Sequence, residues 1–203
     1  MRSDLLSLCP LHITDTLSAR TTMRYIIIIV TTLFFSCSDE LSNSYEVSKE
    51  QAEREYEYPI GISIQYPKTV KQEDVNGETI KSTWVVLFGE NFDLWISSFA
   101  KTSNFPTERY FEMETKTILN KDPHAEIIGT SKGKFSNVEV EFIHFKTHNC
   151  LSGDSCNGYS AGIFSYKDYT FQIQIGERLA SVKSTQDFIS EQTRAILNTL
   201  EMK

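Results

Sequence analysis

The chain has 203 residues, 40% of them hydrophobic and 12% aromatic, which supplies enough apolar side chains for one ordinary globular core. Its formal net charge is -7, and because three basic and two acidic residues precede Cys37 it becomes -8 from that cysteine onward. Such a balance repels polyphosphate and anionic lipid surfaces at long range and argues against nucleic-acid binding; the dense pair of cations, Lys132 and Lys134 around Gly133, reads as a turn.

Residues 26–35 form an almost unbroken apolar run behind Arg24 and ahead of Ser36-Cys37, the basic, apolar and small-residue order of a secretory signal. At ~1.5 Å per residue the run falls short of a ~30 Å hydrocarbon layer, so a transmembrane anchor is the weaker reading. Residues 1–22 lengthen the front of a signal that is of ordinary length from Met23, so translation is expected to start there, leaving residues 1–22 untranslated or removed. The segment Leu33-Phe34-Phe35-Ser36-Cys37 resembles a bacterial lipobox, in which a small residue precedes a cysteine that is lipidated and becomes the new N-terminus. That resemblance implies a signal peptide over residues 23–36 and a palmitate-bearing lipid on Cys37. Ser38-Asp39-Glu40 is similar to the acidic signal that sends some lipoproteins of Gram-negative bacteria to the outer face of the outer membrane. Each buried methylene contributes about 0.8 kcal/mol and such lipoproteins carry more than one acyl chain, so lipid alone suffices to hold the chain on a membrane.

Residues 37–58 are rich in Ser, Glu and Lys and poor in aliphatic side chains, which predicts a lipidated tether, briefly helical around residues 49–57. A single globular domain is expected over residues 59–203. Ile60, Ile62, Ile64 and Tyr66 alternate on one face of a strand ended by Pro67. Residues 83–88 and 92–99 are β-branched and aromatic runs joined by Gly89-Glu90-Asn91, the pattern of an antiparallel hairpin. Ser103 or Asn104 caps a helix with Pro106 in its first turn, Phe111, Ile118 and Leu119 as its apolar stripe, and Pro123 as its stop. Strand signals resume at residues 125–129, 138–145, 162–166 and 170–175, with Lys167-Asp168 turning between the last two. Ser184-Thr185-Gln186-Asp187 resembles a capping box ahead of a helix burying Phe188, Ile189, Ile196, Leu197 and Leu200.

Strands dominate, with one helix inserted and one appended, which is the signature of an α+β domain whose central antiparallel β-sheet is flanked by helices. The opening Ile62-Ser63-Ile64-Gln65-Tyr66-Pro67, the middle helix, the long hairpins and the closing helix also resemble PsbP-like domains. The resemblance spans roughly residues 58–200 and implies an α/β/α sandwich. Members of that family act mainly as assembly or binding factors, so it also implies a protein that is not an enzyme.

Four candidate sites stand out. Cys150 and Cys156 flank a short loop, and in an exported chain they are expected to pair as a disulfide, contributing about 2 kcal/mol if the turn brings their Cα atoms within about 7 Å. Cys37 carries lipid and Cys9 lies upstream of the signal, so no odd thiol remains. Gly158-Tyr159-Ser160-Ala161-Gly162 matches the Gly-x-Ser-x-Gly elbow of serine hydrolases, but a strand follows it and His12, His124, His144 and His148 all precede Ser160, against the usual order. His144 and His148 suit a metal on a helix, whereas on a strand they lie about 13 Å apart, so a metal site with Asp154 or His124 needs a bend or tertiary contact. Tyr159, Tyr166 and Tyr169 near the cysteine loop are candidates for ligand recognition by exposed aromatic faces.

The expectation is therefore a lipid-anchored, non-catalytic binding or assembly module that uses no cofactor and contacts another envelope protein. The alternative is an envelope hydrolase or metal-dependent enzyme built on His144, His148 and Asp154 or on Ser160.

Overall fold

The alternation of Ile62, Ile64 and Tyr66 with Ser63 and Gln65 does form a strand, and in a computed structural model its apolar side faces a core shared with a larger sheet. The structure describes residues 40–73, 83–148, 157–179 and 184–203. The chain runs β1 (Asn43–Val47), α1 (Lys49–Tyr56), β2 (Ile62–Tyr66), β3 (Lys71–Gln72), β4 (Thr83–Phe88), β5 (Phe92–Ala100) and α2 (Thr107–Lys121). There follow β6 (Glu126–Phe135), β7 (Val138–Lys146), β8 (Gly158–Tyr166), β9 (Tyr169–Glu177), α3 (Glu191–Leu197) and β10 (Glu201–Met202). Among the described residues these make a seven-stranded antiparallel sheet, in the order β3-β4-β5-β9-β8-β7-β6, and a three-stranded sheet, β1-β2-β10.

The period-two alternation of β7 and β8 decides what each face of the large sheet meets. Ile143, Phe145, Tyr159, Ala161 and Ile163 face α2, which contributes Tyr110 and Ile118 to the same cluster. Val138, Val140, Phe142 and Phe164 face the other way, into a core completed by the small sheet, Ala52 of α1 and Ile196 and Leu197 of α3. The interior of that layer is aromatic: Phe171 stacks on Phe164 at 5.3 Å and meets Trp84 edge-on at 5.2 Å. The α+β class and the antiparallel sheet between helical elements are thus those expected.

Several boundaries differ, each for a physical reason. The stretch expected to be a tether is folded from residue 43: β1 pairs with β2 from Asn43↔Tyr66 to Val47↔Ile62, and Ser48 caps α1 by accepting from the Gln51 N–H at 3.2 Å. Val47 and Ala52, though few, are fully buried, so a partner strand offsets what the local composition lacks. Lys132 and Lys134 lie within β6 and not in a turn; the chain reverses at Ser136-Asn137, with Ser136 at φ 50°. The stripe of α2 is Tyr110, Glu114 and Ile118, spaced four apart, and Leu119 is left exposed. The final helix starts only after Ser190, whose hydroxyl caps it by accepting from Thr193 N–H, while Thr185–Phe188 is a separate 3-10 turn.

Candidate functional site

At one end of β7 the alternation directs His144 onto the face away from α2, where it is fully buried between the rings of Phe142 and Phe188, at 5.9 and 5.1 Å. Gly162 of β8 makes this possible, because a Cβ there would stand 2.4 Å from the Phe142 ring. Both imidazole nitrogens meet hydroxyls: Nδ1 lies 2.8 Å from Ser160 Oγ and Nε2 lies 2.7 Å from Ser131 Oγ. The Ser160 hydroxyl is aimed at the Phe188 carbonyl at 3.5 Å, which assigns the direction of the chain. Ser160 donates to that carbonyl and accepts from Nδ1–H, leaving Nε2 to accept from the Ser131 hydroxyl. Burial pushes the His144 pKa from 6.5 down to about 4, so the ring is neutral at physiological pH.

Ser131, half-buried, is the outer end of this chain and opens onto a depression of about 480 Å³ lined by Ser131, Lys132, Gly133, Phe135, Phe142, Gln186, Ile189 and Arg194. Phe135, Phe142 and Ile189 lie buried beneath it, so its open surface is of mixed polarity. Lys132 shares no face with Ser131: it sits opposite Glu141 in register and its ammonium is 2.6 Å from that carboxylate. Arg194 also lines the depression; its guanidinium makes a 3.5 Å contact to the Ile189 carbonyl, and its charge acts on the buried Glu177 carboxyl. Neighbouring Glu177 is buried and already accepts from the Ser190 N–H and hydroxyl at 3.0 Å each; burial raises its pKa against those bonds. The depression lies against β6, which is the terminal strand of the large sheet among the described residues.

Of the candidates read from the sequence, Ser160 and His144 are brought together, but inside a strand and fully buried, not on an exposed elbow. His148 is on the surface at 76% exposure, with Nδ1 3.4 Å from Asp122, and is not joined to His144. Among the described residues no three His, Cys, Asp or Glu side chains gather as a metal site. Cys37, Cys150, Cys156 and Asp154 lie outside the described residues.

The three tyrosines do not share a surface. Tyr159 is 1% exposed under α2 and donates to Glu114 at 3.0 Å, whereas Tyr166 and Tyr169 lie at the far end of the β8–β9 hairpin. There Tyr166 donates to the Met202 carbonyl at 2.8 Å and Tyr169 packs on Tyr58 at 4.9 Å. Tyr159 is thus corrected from a ligand contact to a core residue, because odd positions of β8 face α2.

Sequence reasoning missed Ser131 and Arg194, since each becomes notable only through what the fold sets beside it. It also missed Asp122, which ends α2 and accepts from His124 N–H at 3.0 Å, Thr147 hydroxyl at 2.9 Å and His148 N–H at 2.8 Å. These bonds, the His148 N–H foremost, hold its pKa down at about 2. A hint existed in the position of Asp122 between a helical run and Pro123, where a side-chain acceptor commonly stabilises the turn.

No family model and no curated protein matches the chain. Among solved structures it is similar to cyanobacterial PsbP (CyanoP) from Synechocystis sp. PCC 6803, with a TM-score of 0.48 and 9% identity over 83% of this chain and 98% of that one. A protein from Bacteroides thetaiotaomicron VPI-5482 aligns with a TM-score of 0.45 and 10% identity, over 80% of this chain and 49% of the other.

Proposed function

We propose that the chain is an envelope lipoprotein, held by lipid on Cys37 at the outer membrane of a Gram-negative bacterium, whose α+β domain serves as a non-catalytic binding or assembly module. The observation that carries the binding role is the juxtaposition of β6, the terminal strand of the large sheet among the described residues, with the depression beside it. A sheet edge offers backbone donors and acceptors to a partner, and an adjoining hollow selects among partners by side chain. The anchor is tested by Cys37→Ala: the variant should lose incorporation of labelled palmitate and move to the soluble fraction, and unchanged membrane association would remove the lipid-anchor reading. The binding role is tested by placing a photo-crosslinking residue at Thr130 on β6 and, separately, at Glu108 on α2. A discrete adduct to another envelope protein from the β6 position alone is expected, and equal patterns from both positions would count against it.

One observation favours a second reading. The Ser131 hydroxyl, 2.7 Å from a neutral histidine nitrogen and facing a hollow, is the geometry of a nucleophile with its base. On that reading the chain is an envelope hydrolase acting through Ser131, not Ser160. A fluorophosphonate adduct on Ser131, absent in Ser131→Ala, would establish it, and a protein left unlabelled would remove it.

A further inference from the structure

We infer that the end of the small sheet where β1 begins is the membrane-facing surface of the domain, held against lipid headgroups by a short leash, with the turns at its opposite end directed away from the bilayer. The inference rests on the lipid anchor proposed for Cys37 and adds how the domain stands on it. The described fold begins close to that cysteine: Leu41 packs partly buried against the main core, and β1 is paired from Asn43↔Tyr66 onward. Leu41 is four residues beyond Cys37, so the covalent chain lets it stand no more than about 14 Å from the lipidated residue. That reach is shorter than the strands of the domain itself, since the nine residues of β9 span about 27 Å. A leash this short keeps the Asn43 end of the small sheet at the headgroup layer.

Pairing fixes what lies at each end. Beside Asn43, β2 leaves through Tyr66 and Pro67 into Lys68 and Thr69, and the turn after α3 is tied there by Thr199, whose hydroxyl accepts from the Gln65 N–H at 2.8 Å. The exposed rim at this end consists of uncharged Ser42, Thr69 and Asn198, with Lys68 offsetting Glu40. The net charge of -8 from Cys37 onward therefore lies elsewhere on the chain, and this rim meets an anionic headgroup layer without the repulsion that the rest would meet. At the other end of β2, Ile62 pairs with Met202, whose carbonyl accepts from the Asn137 amide at 3.3 Å and from the Tyr166 hydroxyl at 2.8 Å. The Ser136-Asn137 and Lys167-Asp168 turns are thus at the end remote from the leash. The depression beside β6 extends to that remote end at Phe135, so this stance keeps that part of it clear of the lipid. The competing stance lays the outer face of the small sheet flat on the bilayer. That face carries Ser44, Glu46, Ser63, Gln65 and Glu201, and the Lys203 ammonium, 2.6 Å from Glu46, answers one of its two carboxylates. It offers a net negative, polar surface to the headgroups, which favours contact through the rim.

The test places a fluorescent amino acid at Thr69 and, separately, at Asp168, both exposed, in the full-length lipidated protein. The protein is bound to vesicles of phosphatidylethanolamine and phosphatidylglycerol in which a share of the headgroups carries a paramagnetic quencher. The Thr69 label should lose most of its emission and the Asp168 label should keep most of its own. An insert of about twenty Gly and Ser residues after Ser38, with an r.m.s. span of about 25 Å, should leave flotation with the vesicles unchanged and restore most of the emission of the Thr69 label. Equal quenching of the two labels, stronger quenching at Asp168, or quenching at Thr69 that the insert leaves unchanged would overturn the inference while the anchor stands. Flotation no better than that of Cys37→Ala would refute the anchor itself, and this orientation with it.

Discussion

Replacing His144 by glutamine tests whether the imidazole is held neutral inside the sheet-face core. Glutamine offers a donor and an acceptor to Ser160 and Ser131 but has no proton to gain. In the native protein the histidine sits at about 4 against an ordinary 6.5. The unfolded chain therefore takes up a proton before the folded one does, and stability is full above about 6.5, falls as the pH drops toward 4, and levels off below that. The whole step is worth roughly 3 kcal/mol, of which about 2 kcal/mol is lost between pH 7 and pH 4.5. Glu114 and Glu177, whose pKa values burial raises, act in the opposite sense, gaining on acidification. They are common to both proteins and cancel in the comparison. Urea denaturation followed by circular dichroism at pH 7 and pH 4.5 should show the wild type losing about 2 kcal/mol more than His144→Gln over that interval. Parallel losses in the two proteins would refute the assignment of a buried, neutral His144.

Asp122→Asn should lower the melting temperature at neutral pH and make the loss of stability as pH falls from 3.8 to about 2 smaller than in the wild type, since the native carboxylate is held deprotonated by its donors. Phe171→Ala, which empties the centre of the Phe164, Trp84 and Tyr58 cluster, should cost about 3–5 kcal/mol in chemical denaturation. Glu177→Ala strands the Ser190 donors and should cost about 1–3 kcal/mol, whereas Glu177→Gln keeps an acceptor and should cost less than half of that; equal costs would mean charge, not hydrogen bonding, matters there. The intact mass of exported protein should rise by two hydrogens on reduction if Cys150 and Cys156 are paired, and an unchanged mass would remove the disulfide.

The strands were legible where alternation or β-branched and aromatic composition was strong. Ile60 to Tyr66 and Val138 to Phe142 carry their burial in the period of the chain, β4 and β5, buried on both faces, show instead in their β-branched and aromatic residues, and the Lys167-Asp168 turn needs only the two residues around it. Elements with weak local pattern were decided elsewhere. β1 is polar at most positions and exists because β2 provides its hydrogen bonds; the lysines of β6 belong to a strand because β7 pairs with them; the Glu114 carboxyl lies in a helix stripe because Tyr159 meets it from the sheet. The candidate site is of the second kind. Ser131, His144, Ser160 and Arg194 are spread over more than sixty positions, and only sheet pairing and the packing of α3 set them together. Periodicity reports which face a residue shows, a local property of backbone geometry; which residues share a hollow depends on long-range pairing, to which local pattern is blind.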